Sequence, residues 1–147
     1  MPEFAWRWLL ARRVHGNAAW ISWLLRIGCG VFFFFAGIPK FSDHDAEVED
    51  FERWDVPAAE AAVYLAGFVE IIAGLMLLFG LLTRVAALAL IADMVVAILT
   101  AGRHEGFGFH TTVPPVLILV LLFLGYAGGG PVSVDRVMAR RPGEVGL

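Results

Sequence analysis

Three charged side chains occupy stretches of sequence that are otherwise apolar. Glu70 lies near the middle of Ala59–Arg84, Asp93 lies inside the run 85–101, and Arg26 lies about two turns inside the run 20–39. An ionised group in such surroundings is costly unless it is paired or gives up its charge. Counted from the nearer basic end at about 1.5 Å per residue, Arg26 lies roughly 10 Å in, Asp93 roughly 13 Å and Glu70 roughly 18–20 Å. The reach of an arginine side chain makes these depths overlap, so one cluster of Arg26 with Glu70 and Asp93 is expected. Acid outnumbers base there by one, and one carboxyl would keep a proton for part of the time. A cluster of this kind can handle protons or hold a polar ligand. It can equally be an ionic staple that fixes how helices pack, and the residue types alone leave both readings open.

The elements that must position these groups are helices. The chain has 147 residues, of which 59% are hydrophobic and 17% charged, against roughly 45–50% apolar and 25% charged for a soluble domain. About 20 apolar residues cross a bilayer core. The expected architecture is all-α, a four-helix transmembrane bundle over residues 19–131, with spans near 20–39, 59–82, 85–101 and 114–126. The fourth would start at Pro114-Pro115, a tolerated place for proline, and at roughly 15 residues would borrow Thr111–Val113 or sit in thinned bilayer. Spacings of three and four align Arg26, Gly30, Phe33, Gly37 and Lys40 along one seam, with Lys40 free to snorkel at its far end. Gly67, Glu70, Gly74 and Leu77 share a second face, and Ala86, Ala89, Asp93, Ala97 and Thr100 a third. Small residues on such faces let helices approach closely.

Residues 1–18 interleave Phe4, Trp6, Trp8, Leu9 and Leu10 with Arg7, Arg12 and Arg13, as expected of an interfacial amphipathic helix. Residues 41–58 are acidic, with Val48, Phe51, Trp54 and Val56 at near-helical spacing. A short amphipathic helix on the outer surface is expected there, either a solvated cap or a docking face for a basic partner. Residues 132–147 read as a surface-bound or disordered cytoplasmic tail. Arg7, Arg12, Arg13, Arg84, Arg136, Arg140 and Arg141 all fall on one side of a four-span topology, which places both termini in the cytoplasm. The single cysteine, Cys29, excludes an intramolecular disulfide or a C-x-x-C pair. His15, His44, His104 and His110 lie outside the spans or at their edges, so intrinsic haem is not expected. The spacing of His104, Glu105 and His110 matches no metal motif, and no metal site is assigned. Nothing in the chain indicates nucleic-acid binding.

Arg26-Ile27-Gly28, then Gly37-x-x-Lys40, Pro57, and Glu70-x-x-x-Gly74-x-x-Leu77-x-x-Gly80-x-x-Thr83-Arg84-x-Ala86-Ala87 together resemble the DoxX family of four-span bacterial membrane proteins. The resemblance covers roughly residues 22–130. It implies a location in the bacterial cytoplasmic membrane and an association with oxidoreductase systems, including membrane subunits of thiosulfate:quinone oxidoreductase. It also marks Arg26, Lys40, Glu70 and Arg84 as the family's polar positions; Asp93 is outside the pattern. The expected function is a membrane subunit of a quinone-linked system, with no intrinsic cofactor but a bound quinone or lipid near Glu70 and Arg26. Trp23, Phe33 and Phe34 would line an apolar slot for it. The expected partners are lipid and other redox subunits, or further copies of the chain. The alternative is a non-catalytic anchor or assembly subunit; a small transporter ranks last, because four spans are few.

Overall fold

In lipid, a backbone amide can bond only within its own chain, so long apolar runs fold as helices. The computed structural model describes residues 8–11 and 13–139, and all regular structure among them is helical. The elements are α1 (Asn17–Gly37), α2 (Pro39–Ser42), α3 (His44–Arg53), α4 (Ala59–Phe79), α5 (Thr83–Leu99), α6 (Ala101–Glu105), α7 (Phe109–Ala127) and α8 (Val134–Ala139). A short helical stretch at residues 8–10 precedes them. Four segments are long and apolar enough to span a membrane: Asn17–Ser42, Ala59–Phe79, Thr83–Glu105 and Phe109–Ala127. The expected all-α four-helix bundle is therefore observed. Most of the N-terminal amphipathic segment, including Arg7 and Arg12, and the basic pair Arg140-Arg141 lie outside the described residues.

The two glycine seams meet. A Cβ added to Gly30 of α1 would lie 2.9 Å from the Gly74 carbonyl oxygen of α4, and one on Gly37 would lie 3.0 Å from that of Gly67. Equal spacing on both antiparallel helices sets the register, with 30 opposite 74 and 37 opposite 67. A Cβ on Gly74 would stand 2.8 Å from the backbone nitrogen of Phe34, which cannot rotate away. Gly74→Val is expected to cost about 1–3 kcal/mol through forced separation of the helices. Gly28, with nothing within 4 Å of its Cβ position, is the control. Gly28→Ala should be neutral or stabilising by up to about 1 kcal/mol. Thermal unfolding in detergent reads both, and equal effects would contradict the register.

Two ends of the bundle can be distinguished. At the loop end, α3 forms the expected amphipathic cap and buries Trp54 to 8% exposure. At the terminal end, α4 closes on Gly80 in the left-handed conformation (φ 66°), with Leu81 N–H donating to Met76 O and Gly80 N–H to Leu77 O. This pairing satisfies orphan carbonyls at a helix C-terminus. Between the two ends, Phe33, Leu77, Leu90, Leu121 and Leu124 are fully buried, so each span contributes to a dry core.

One expectation is corrected and a second is narrowed. Helix α7 begins at Phe109 rather than at Pro114, so both prolines lie inside it. The Thr111 and Thr112 hydroxyls bond Gly108 O and hold the first turn, and prolines within a membrane helix are accommodated by neighbouring groups. Of the two readings of residues 132–147, the surface-bound one holds for 132–139, which docks against the base of the bundle. Asp135, 2% exposed, accepts hydrogen bonds from Leu82 N–H (2.6 Å) and Thr83 N–H (3.0 Å) at the start of α5.

Candidate functional site

The chain between α1 and α2 bends at Ile38-Pro39, which sets Lys40 against the Gly67 face of α4. A Cβ on Gly67 would lie 3.0 Å from Lys40 Cβ. Glycine leaves room there, and Lys40 turns inward instead of snorkelling outward. Its Nζ lies 3.0 Å from Glu70 Oε2 and 3.7 Å from Glu47 Oε2 of α3. The three side chains are 12%, 7% and 26% exposed. Lys40 approaches Glu70 Oε2 off the axis of a good hydrogen bond, so that oxygen keeps acceptor capacity. From α5, Asp93 borders the same cavity as Glu70, and the two carboxyls act on each other electrostatically. A carboxylate only accepts, so a direct bond between the two would require that one of them carry a proton.

Lys40, Glu47, Glu70 and Asp93 border a cavity of about 520 Å³ at the loop end. Its walls are mainly apolar, with Phe32, Trp54, Val69, Met94 and Leu117 among them. Small-molecule sites commonly have this size and this mix of apolar wall and few polar groups. Leu65 and Val96, which border the cavity on α4 and α5, also face the lipid-facing surface of the bundle, at 66% and 54% exposure. His110 is at the cavity too, held by Glu105 Oε2 at 2.5 Å and packed edge-on to Trp54. His104 pairs with Asp55 at 3.1 Å. Among the described residues, no three His, Cys, Asp or Glu side chains converge as a metal site would need.

Arg26 is not part of this group. Its Nη1 donates to Leu77 O (2.7 Å) and Leu78 O (3.2 Å), and its Nη2 to Val132 O (2.6 Å). The last carbonyls of α4 lack the next turn's N–H donors, Leu77 O keeps a lone pair beyond its bond from Gly80 N–H, and together they carry the negative end of the helix dipole, which suits a guanidinium. Glu70 lies about 10 Å further along the same helix from Leu77, at 1.5 Å per residue. The cation of the acidic pair is therefore Lys40, and the Arg26–Glu70–Asp93 trio is replaced by Lys40–Glu70–Asp93. The glycine spacing carried part of this information: pairing Gly30 with Gly74 and Gly37 with Gly67 leaves Lys40 about 9 Å of helix from Glu70 and Arg26 about 12 Å, and the inward turn of Lys40 at Gly67 closes the shorter gap.

The aromatic slot is also rearranged. Trp23 borders a second hollow at the terminal end, beside Arg26. Phe33 is fully buried in the core, and Phe34 has its backbone against Gly74. Phe32 is the aromatic of that run that reaches the cavity. Arg84 has a structural task. Its Nη1 donates to Trp8 O (2.6 Å) and its Nη2 to Ala11 O (2.8 Å) and Tyr126 O (3.3 Å). The guanidinium also sits 4.6 Å from the Trp8 ring centroid, and so ties the N-terminal segment to the bundle.

Comparison with known proteins agrees with this architecture. The chain is 40% identical over 131 residues to the uncharacterized membrane protein Rv3486 of Mycobacterium tuberculosis, covering 80% of each chain. It is 27% identical over 112 residues to the Bacillus subtilis protein named "Putative oxidoreductase CatD", covering 76% of this chain and 82% of that one. No solved structure matches. The DoxX family model matches residues 21–103, which hold Arg26, Lys40, Glu70, Arg84 and Asp93. Four apolar helices, glycine-packed in antiparallel register around a buried Lys40–Glu70 pair, are thus what that pattern encodes here, and the chain belongs to the DoxX family of membrane proteins.

Proposed function

We propose that the loop-end cavity receives the head of a quinone or a comparable amphiphile, and that the protein is the membrane component of a quinone-linked oxidoreductase system. One observation carries the reading: a buried Glu70, ion-paired to Lys40, and a half-buried Asp93 border the same mainly apolar cavity of about 520 Å³. The residues present fit such a ring. Phe32, Val69, Met94 and Leu117 supply apolar walls, Lys40 supplies a donor for a ring oxygen, and Glu70 Oε2 has acceptor capacity to spare. A bound quinone supplies a two-electron, two-proton couple. Lys40 orients the oxygen, the Glu70–Asp93 pair holds the proton, and the apolar walls exclude water. Electrons are assigned to a partner redox subunit, in keeping with the name of the Bacillus relative. Lipid is the other expected neighbour. Arg13, Arg84 and Arg136 at the terminal end, against the acidic α3 at the loop end, support placing both termini in the cytoplasm.

The test is quinone binding by the purified protein in detergent, with a short-chain benzoquinone and a short-chain naphthoquinone as probes. Wild type is expected to bind. Glu70→Gln is expected to weaken binding about tenfold, which is 1.4 kcal/mol. Wild-type protein that binds neither probe would overturn the reading. It would favour an anchoring subunit, whose signature is a stoichiometric partner together with indifference to Glu70→Gln.

A further inference from the structure

We propose that Lys40 and Glu47 form a proton path linking the aqueous phase at the loop end to the Glu70–Asp93 pair, and that the pair exchanges protons with that side alone. The inference concerns the site of the preceding reading but does not depend on which ligand the cavity takes. Glu47 is part of α3 on the surface and is 26% exposed at its side chain; Glu70 is nearly buried; Lys40 bridges them at 3.7 and 3.0 Å. The step balances without any other reactant. The Lys40 ammonium releases a proton to the pair and regains one from Glu47, which takes its own from water. Lys40 ends with its charge restored, and one proton has moved inward; the reverse sequence carries one out.

The charged and titratable groups around Glu70 come from each neighbouring element. They are Lys40 from α2, Glu47 and Asp50 from α3, Asp93 from α5 and His110 from α7, while α1 contributes Phe32 and Ala36. All of these groups lie towards the loop end. In the other direction stand Phe33, Leu77, Leu90, Leu121 and Leu124, each 0% exposed. Leu77 is seven residues from Glu70, about 10 Å of helix, and the titratable side chain in this core cluster is the buried thiol of Cys29, a single group too short to bridge that depth as a relay. Beyond it, the Arg26 and Arg84 guanidiniums are occupied by backbone carbonyls.

Sealed proteoliposomes test the sidedness. Protein orientation is read by protease cleavage of a terminal tag, and the pH is clamped separately on each side. The membrane-soluble reagent dicyclohexylcarbodiimide modifies protonated buried carboxyls, and mass spectrometry locates the adduct on Glu70 or Asp93. Labelling is expected to follow the pH on the loop-end side and to ignore the other. Labelling that follows the terminal-end pH, or that is absent at every pH, would overturn the proposal. The path is tested by the rise of the protonated-carboxyl infrared band after a pH jump. Glu47→Gln should slow that rise about tenfold with its final amplitude kept, and Glu47→Asp should restore it. Glu60→Gln, a change at an exposed acid on α4 away from the cavity, should leave it unchanged. An unchanged rate in Glu47→Gln removes Glu47 from the path. Failure of quinone binding with side-specific labelling intact would reject the ligand and leave the proton path standing.

Discussion

Lys40→Met should destabilise the bundle by about 3–5 kcal/mol, because removing one partner of a buried ion pair leaves the other charge without compensation. Methionine keeps the length of the apolar stem, so the loss reports the charge and not a cavity. Glu70 is 5% exposed and has no second cation within ion-pair distance among the described residues. The deficit should shrink as the pH is lowered, because a protonated carboxyl needs no counter-charge. It should also be largely recovered in the double variant Lys40→Met/Glu70→Gln, where neither charge remains. Reversible unfolding in mixed micelles, taken through the full double-mutant cycle, measures the coupling directly. Arg26→Met serves as the contrast. Its loss should not be rescued by Glu70→Gln, since Arg26 bonds carbonyls at the other end of α4. Rescue of Arg26→Met and not of Lys40→Met would restore Arg26 to the acidic pair.

Asp135→Ala is the second substitution expected to have a large effect. Two backbone N–H groups at the start of α5, those of Leu82 and Thr83, lose their acceptor. A buried unsatisfied donor costs about 1–3 kcal/mol, so roughly 2–6 kcal/mol is expected for both. The bonds also hold Leu82 at φ 45°, a left-handed conformation that costs a residue with a Cβ of order 1–3 kcal/mol and persists only where its surroundings impose it. Asp135 further acts electrostatically on Arg26 and Arg84. Asp135→Asn, which keeps one acceptor oxygen, should fall between wild type and alanine. The same unfolding measurement checks the order, and an alanine variant as stable as wild type would mean that segment 132–139 does not brace the turn.

The path from sequence to site was partly legible. The four spans followed from runs of apolar residues, because bilayer thickness and backbone hydrogen bonding leave little choice of structure in lipid. Glycines at helical spacing marked the faces on α1 and α4 open to close approach, though not that these two faces meet, and the cap at α3 followed from its amphipathic pattern. Glu70 and Asp93 were recognisable as a facing pair because mid-span acids cannot be left to lipid. Their cation was assigned to the wrong residue. Depths along three separate runs put Arg26 within side-chain reach of Glu70 and left Lys40 at the far end of its span; the close approach at Gly67, which turns Lys40 inward, is a tertiary contact that no such count contains. Asp135 was missed altogether. It sits in a short polar segment whose pattern carries no periodicity, and its role depends on two amides more than 50 residues away.

The amino-acid sequence alone determined that this chain is a helical membrane protein, which helices it has, and that acids lie buried among them. Those properties are set by local composition, since each span must satisfy its own backbone and hide its own charges. Tertiary structure alone decided which cation meets which carboxylate, that the cavity opens at the loop end, and that residues 132–139 brace the opposite end. Such pairings depend on helix register and on where chain ends dock, both settled by contacts between residues far apart in the chain.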